Sequence, residues 1–112
     1  MLILVRHGRS PSNRAGQLSG RGDVDLDSSG EDQARSSGEV LSTLDVRRVI
    51  ASPLRRAQRT AELLAIDGAS VETDDHWVEL DYGKWEGRPV ADVTAAEWAR
   101  WRSDLDFALT VP

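Results

Sequence analysis

The sequence predicts an α/β domain with a parallel sheet, and three observations support that fold class. Short runs at 2–5 and 49–51 are apolar, and residues 70–73 are a third candidate strand. Segments with helical periodicity follow the first two strands, which is typical of parallel strands joined by helical connections. The 112 residues fit one small domain and leave no room for a second.

The first predicted strand, residues 2–5, reads "LILV", a continuous aliphatic run of the kind buried on both faces of a parallel sheet. Residues 8–25 are predicted to form a loop, because glycine, proline and asparagine punctuate them densely. Arg6, His7 and Gly8 therefore stand at the carboxyl end of the first predicted strand.

The first predicted helix runs over 28–44, with Asp27 as its N-cap. Its apolar side follows helical spacing at Ala34, Gly38 and Leu41. This periodicity places one face of the helix against the core.

The second predicted helix follows the strand at 49–51. Ser52 is its candidate cap, and Pro53 occupies its first position, where the missing N–H costs little. Its spacing predicts a buried stripe, which comprises Leu54, Ala57, Ala61 and Leu64.

The last third of the chain is predicted to be mostly irregular and aromatic over 76–89, followed by one helix. Thr94 and Glu97 form a T-x-x-E capping box at the start of that helix, and Trp98 and Trp101 share one of its faces. The apolar tail "DFALTVP" follows with no closing strand, so we expect an incomplete domain with apolar side chains left exposed, among them Phe107, Leu109 and Val111.

The charge composition narrows the class of ligand. A net charge of −5 argues against nonspecific binding to nucleic acid or to an anionic membrane surface. Lys84 is the only lysine, and the remaining cations are arginines, whose planar donors suit phosphate and carboxylate. The chain has no cysteine, which is consistent with the cytoplasm. It shows no signal peptide and no membrane-spanning run.

Three segments place reactive or charged side chains at the carboxyl ends of the predicted strands, where parallel sheets bind ligands. The first segment carries Arg6 and His7, the second carries Arg56 in a first helical turn, and the third carries Glu79. An unprotonated imidazole accepts a phosphoryl group, arginines neutralise its oxygens, and a carboxylic acid protonates the leaving oxygen. The alternative for each residue alone is an ordinary structural or surface role.

The motifs "LVRHGRSPSN", "SPLRRAQRTAELL" and "ELDYGKWEG" occur in this order and resemble the histidine phosphatase superfamily, also called the phosphoglycerate mutase-like family. The stretch "GRGDVDLDSSGEDQA" is similar to a further segment of that family. The resemblance implies a three-layer α/β/α fold with a mainly parallel sheet. Residues 1–112 would form the N-terminal part of a single such domain.

The resemblance also implies a role for each matching residue. His7 would be the phosphorylated nucleophile and Glu79 the proton donor, while Arg6, Asn13 and Arg56 would bind the phosphoryl oxygens. No metal and no cofactor is implied. We expect a small phosphorylated substrate, no nucleic-acid or membrane partner, and self-association of the chain.

Two kinds of departure from the family pattern stand out. Asp25 occupies a position where the family often has proline, and Arg9 one where it often has an acidic residue or glutamine. The family's second histidine, in an H-G segment of a later strand, has no counterpart within these residues. His76 lies three residues before Glu79 and lacks a following glycine, so it is a poor substitute.

These observations leave several functions open. A phosphatase is favoured over a phosphoglycerate mutase, because the stretch between the arginine helix and Glu79 is short and mutases usually carry longer insertions there. A noncatalytic phosphate-binding module is the third candidate. An adhesion motif at 21–23 and a metal site around His76 are the weakest alternatives.

Overall fold

The computed structural model of the protein describes residues 1–104 and 106–107. Its strands β1 and β2 pair in parallel, with Arg48 opposite Ser70 and Ala51 opposite Thr73. The predicted α/β class with a parallel sheet is therefore confirmed. The helices and strands follow in the order α1 (Pro11–Arg14), α2 (Ser28–Leu41), β1 (Arg48–Ala51), α3 (Arg55–Leu64), β2 (Ser70–Thr73) and α4 (Ala95–Ser103).

The chain divides into two compact units. The first unit comprises 1–10 and 23–78, and it contains α2, α3 and both strands. The second unit comprises 11–22 and the described residues from 79 onward, and it contains α1 and α4. In the described part of the chain, no helix is long and apolar enough to cross a membrane.

Helix α2 begins as predicted and ends earlier than predicted. The Asp27 side chain accepts a hydrogen bond from the amide of Gly30, as an N-cap does. The helix ends at Leu41, three residues before the predicted end. The hydroxyls of Ser42 and Thr43 donate to the carbonyls of Glu39 and Val40, and such local bonds compete with further helix.

The start of α3 differs from the prediction. The helix begins at Arg55 with Leu54 as its N-cap, and Ser52 instead accepts from the amide of Leu54 at 3.2 Å. The first helical amide, that of Arg55, donates to the Asp23 carboxylate at 2.7 Å. A carboxylate from a distant segment therefore supplies the cap that we expected from a neighbouring serine. Asp23 is thus engaged in the fold, which weakens the adhesion interpretation of 21–23.

The buried stripe of α3 is only partly the predicted one. Ala61 and Leu64 are buried as expected, whereas Leu54 and Ala57 are half-buried. The polar residues Arg56 and Thr60 complete the buried face.

Helices α2 and α3 pack backbone to backbone. A Cβ at Gly38 would overlap the carbonyl group of Leu64, so only glycine permits this approach. Small and aliphatic side chains fill the remainder of the interface, namely Ala34, Leu41, Ala61 and Leu64.

The predicted strand at 2–5 is wrong, because within the described residues this segment pairs with no neighbour. Leu2 is 81% exposed and Leu4 is 74% exposed. An apolar run becomes a strand only where an adjacent strand exchanges hydrogen bonds with it, and the sheet of the described residues contains only β1 and β2. The exposure of this apolar segment agrees with the expectation that residues 2–5 are unpaired and partly exposed.

The second unit is built around aromatic side chains. Leu18, Trp85 and Val93 form its buried centre, against which Tyr82, Trp98, Trp101 and Phe107 pack.

The predicted capping box is confirmed, since Thr94 and Glu97 exchange side chain–backbone bonds at the start of α4. The irregular segment before it contains short 3₁₀ turns, and the predicted loop at 8–25 contains one helical turn, α1. The expectation that Phe107 is left exposed is wrong, because it is half-buried against the buried centre of the second unit, whereas Leu109 and Val111 lie outside the described residues.

Candidate active site

The His7 ring has a defined hydrogen-bond partner. Its Nδ1 atom lies 2.7 Å from the carbonyl oxygen of Gly8, and the side chain is half-buried. A carbonyl oxygen only accepts hydrogen bonds, so Nδ1 carries the proton of the neutral ring. The lone pair of the neutral imidazole therefore lies on Nε2, which is the atom able to act as a nucleophile.

Gly8 is fixed by close backbone contact with the start of α2. A Cβ at Gly8 would overlap the carbonyl group of Gly30, and a Cβ at Gly30 would overlap the backbone of Arg9. Both positions therefore require glycine for steric reasons. The glycine after His7 lets the chain lie directly on the first turn of α2.

Arg9 fastens the same segment with three further bonds. Its amide donates to Gln33 Oε1 at 2.9 Å, its carbonyl accepts from the Asp27 amide at 2.9 Å, and its Nε donates to Asp27 Oδ2 at 2.6 Å. Only the bond from Nε depends on the arginine side chain, so this departure from the family pattern has a structural role through Asp27. Asp25, the other departure, lies 3.8 Å from the Arg55 guanidinium.

Thr60 joins the segment after His7 to the turn that carries Arg56. The Gly8 amide donates to Thr60 Oγ1 at 3.1 Å, and that hydroxyl donates to the Arg56 carbonyl at 2.7 Å. Thr60 was not singled out from the sequence. The motif "RAQRTA" contains it, but a threonine within a helix carries no signal of this bridge.

The three arginines of α3 have different surroundings. Arg56 is only 3% exposed, although it is a charged residue. Arg55 is exposed, whereas Arg59 forms ion pairs with Glu31 at 3.2 Å and Glu62 at 3.0 Å. Burying a guanidinium costs free energy unless its donors have partners. Of the three arginines, Arg56 is therefore the one that occupies a specific buried position.

The predicted site residues are divided between the two units. Arg6, His7 and Arg56 belong to the first unit, where Arg6 is exposed. Asn13 lies in α1 of the second unit, and Glu79 begins the second segment of that unit. The roles of all five remain predictions.

Glu79 is exposed and held through its backbone. Its carboxylate accepts from the amide of Leu80 at 2.8 Å, and its carbonyl accepts from Arg21 Nε at 3.1 Å. Burial raises the pKa of the nearby Tyr82 hydroxyl, and the negative charges of Glu79 and Glu86 raise it further.

Glu86 is a second residue that sequence reasoning missed. Its carboxylate accepts from the amide of Gly20 at 2.8 Å and from that of Gly22 at 3.2 Å. A Cβ at Gly20 would also overlap the carbonyl oxygen of Leu80. Glu86 thereby fixes the loop at 20–22 next to the segment that contains Glu79.

His76 belongs to a local turn. Its Nδ1 lies 2.8 Å from Asp74 Oδ1, and its amide donates to the same carboxylate. These bonds, the backbone one first, lower the pKa of Asp74. Among residues 1–104 and 106–107, no group of three or more His, Cys, Asp or Glu is arranged to hold a metal ion.

A parallel α/β fold that carries an imidazole next to a buried arginine turn agrees with the class of phosphoryl-transfer proteins. The family model of the histidine phosphatase superfamily, branch 1, matches residues 2–110. The chain therefore belongs to the histidine phosphatase superfamily.

The curated relatives are named either as phosphatases or as probable phosphoglycerate mutases. The chain is 40% identical over 95 residues to an uncharacterized phosphatase, PhoE, of Bacillus subtilis, covering 83% of this chain and 49% of the relative. It is 41% identical over 105 residues to a probable phosphoglycerate mutase, GpmB, of Erwinia tasmaniensis, covering 93% and 48%. The chain thus spans about half the length of the curated relatives it matches.

Solved structures agree with this family. A mycobacterial glucosyl-3-phosphoglycerate phosphatase superposes with a TM-score of 0.77 at 29% identity, covering 88% of this chain and 49% of that one. A phosphoserine phosphatase of Entamoeba histolytica superposes with a TM-score of 0.76 at 27% identity, covering 89% and 50%.

Proposed function

We propose that this chain carries the phosphoryl-accepting part of a phosphatase that hydrolyses small phosphomonoesters through a phosphohistidine at His7. The observation that carries the proposal is the bond from His7 Nδ1 to the Gly8 carbonyl, which directs the neutral lone pair to Nε2. The bridge from Gly8 through Thr60 to Arg56 supports it, because it ties the nucleophile's segment to a buried cation.

The proposed reaction has two steps. Nε2 of His7 attacks phosphorus, the bond from phosphorus to the alcohol oxygen breaks, and Glu79 gives its proton to the departing oxygen. Water then attacks the phosphohistidine and gives a proton to the Glu79 carboxylate, the N–P bond breaks, and inorganic phosphate leaves with the imidazole and the Glu79 carboxylic acid restored. Arg6, Asn13 and Arg56 would neutralise and orient the phosphoryl oxygens, which is the main requirement of phosphoryl transfer.

A phosphoglycerate mutase is the second candidate, and the relatives named as probable phosphoglycerate mutases favour it. The two activities share the first step and differ in the acceptor. In a mutase the phosphoryl group passes from His7 to a second phosphoglycerate, whereas in a phosphatase it passes to water. The short stretch between Leu64 and Glu79 supports the phosphatase. Product analysis with and without added phosphoglycerate separates the two.

Trapping the covalent intermediate tests the proposal. The protein is incubated with nitrophenyl phosphate and quenched in alkali, and its intact mass is measured. We expect a gain of one phosphoryl group that His7→Ala abolishes and His76→Ala leaves unchanged. Labelling that persists in His7→Ala contradicts the assignment, and an unlabelled parent that binds inorganic phosphate favours the noncatalytic module.

The same assay tests Glu79 through the leaving group. A general acid matters most where the departing alkoxide is strongly basic. Glu79→Gln is therefore expected to slow labelling by an alkyl phosphate much more than labelling by nitrophenyl phosphate. Equal slowing with both substrates would remove Glu79 from the proton-donor role.

A further inference from the structure

We propose that Thr60 is a positioning residue, whose hydroxyl helps to set the tautomer of His7 by holding the amide of Gly8. The proposal rests on the proposed function for its kinetic consequence. Its structural part concerns only Thr60, Gly8, His7 and Arg56, all of which lie in the first unit.

The direction of both hydrogen bonds at Thr60 is fixed by chemistry. The Gly8 amide only donates and the Arg56 carbonyl only accepts, so the hydroxyl accepts from the first and donates to the second. Thr60 is 5% exposed, which leaves little access for water to replace it. Its hydroxyl also bonds the carbonyl four residues earlier in α3, which restricts its rotamer. The acceptor offered to Gly8 therefore points in one direction.

Gly8 is consequently held from two sides. Its amide is bound to Thr60, and its Cα lies against the backbone of Gly30. The carbonyl of the same residue accepts from His7 Nδ1 at 2.7 Å. The carbonyl belongs to the following peptide group, whose amide, that of Arg9, donates to Gln33 Oε1 at 2.9 Å. With the Gly8 nitrogen and Cα also held, both ends of the rotation about the Gly8 Cα–C bond are fixed, and so is the direction of the carbonyl. Removing the Thr60 hydroxyl is expected to release Gly8 and, with it, the partner that keeps the proton on Nδ1.

The chain offers closely matched variants. Thr60→Ser retains the hydroxyl, Thr60→Ala differs from it by that one oxygen, and Thr60→Val keeps the shape of threonine without the hydroxyl. Thr43→Val is the control, because Thr43 also donates to a helix carbonyl, that of Val40 at 2.8 Å, but lies exposed and distant in sequence from the site.

Nitrogen NMR of the protein with ¹⁵N-labelled histidine reads the tautomer directly, at a pH where the imidazoles are neutral. We expect His7 to carry its proton on Nδ1 in the parent, in Thr60→Ser and in Thr43→Val. We expect a mixture of tautomers in Thr60→Ala and Thr60→Val. If one of these two does not fold, the other is compared with Thr60→Ser. The proposal is overturned if the His7 spectrum of Thr60→Ser is the same as that of Thr60→Ala or Thr60→Val.

Single-turnover phosphorylation by nitrophenyl phosphate gives the kinetic consequence. Loss of alignment at a nucleophile costs on the order of 100-fold in rate, so Thr60→Val is expected to label that much more slowly at saturating substrate. Thr60→Ser is expected to stay within a few-fold of the parent. Equal rates in Thr60→Val and the parent would overturn the positioning role. A parent whose His7 is never labelled overturns the proposed function instead, and the nitrogen spectra alone then decide the role of Thr60.

Discussion

The two units of the chain hold their proposed functional residues by different means. In the first unit, the segment of His7 is fixed mainly by backbone contact between Gly8 and Gly30 and by the buried Thr60 hydroxyl, with the ion pair between Arg9 and Asp27 beside them. In the second unit, ionised side chains near the surface hold the loops and turns in place. Glu86 binds the amides of Gly20 and Gly22, and Arg88 contacts Glu97 at 2.9 Å and 3.0 Å.

This difference predicts different sensitivities. Contacts between neutral, close-packed groups depend little on salt or pH, but they leave no room for an added methyl group. Ionised contacts near the surface tolerate changes of volume but weaken when a carboxylate gains a proton or when salt screens the pair. We therefore expect the first unit to respond to changes of shape, and the second to respond to pH.

The largest expected effect is on the rate of phosphomonoester hydrolysis, and it distinguishes the buried Arg56 from the exposed Arg55 of the first unit. Arg56→Ala is expected to remove about 2–4 kcal/mol of transition-state stabilisation, as the loss of a charge-assisted contact to a phosphoryl group does. Arg55→Ala is the matched control, because its side chain is exposed. The measurement is kcat/KM for nitrophenyl phosphate hydrolysis. Equal losses in the two variants would indicate a diffuse basic surface and no specific pocket.

The next effect tests close packing at the start of α2. Gly30→Ala adds a methyl group that would overlap the backbone of Arg9, so unfolding in urea is expected to become easier by about 1–3 kcal/mol or more. Helix propensity alone predicts the opposite sign, a gain of about 1 kcal/mol. Ser36→Ala, at an exposed position of the same helix, is expected to be neutral or slightly stabilising. A stabilised Gly30→Ala would contradict the packing described here.

The smallest effect is the response of the second unit to acid. Hydrogen bonds from Arg88 and from the backbone of Thr94 lower the pKa of Glu97 from 4.5 to about 2. A carboxyl group with a lowered pKa in the folded state contributes stability that is present above its unfolded pKa. That contribution is lost as the pH falls from about 4.5 towards about 2.

Tryptophan fluorescence across this acid range checks the prediction, since Arg88 lies 5.3 Å over the ring of Trp85 and α4 carries Trp98 and Trp101. We expect the emission of the second unit to change over that interval in the parent protein. Glu97→Gln is expected to remove this part of the pH dependence. A transition of unchanged size and midpoint in that variant would show that other carboxylates cause it.

The sequence by itself determined the elements whose signals are local. Asp27 caps α2 and the capping box begins α4, and each depends on residues close together along the chain. Local patterns also located the strands around 49–51 and 70–73, although their pairing joins distant segments. Three motifs in order also identified the family. Such signals can be read without knowledge of distant partners, and the structure and the family match agree with them.

Tertiary structure alone decided the contacts made by residues that are distant along the chain. The first amide of α3 is bound by Asp23 and not by Ser52, and Thr60 accepts a hydrogen bond from Gly8, 52 residues earlier. The apolar run at 2–5 is no strand here, although its composition favours one. A helix cap, a bridging hydroxyl or a strand edge needs a partner at hydrogen-bonding distance. Side-chain type and local spacing determine which kinds of partner a residue can bind. Only the folded chain determines which of these partners lies within hydrogen-bonding distance.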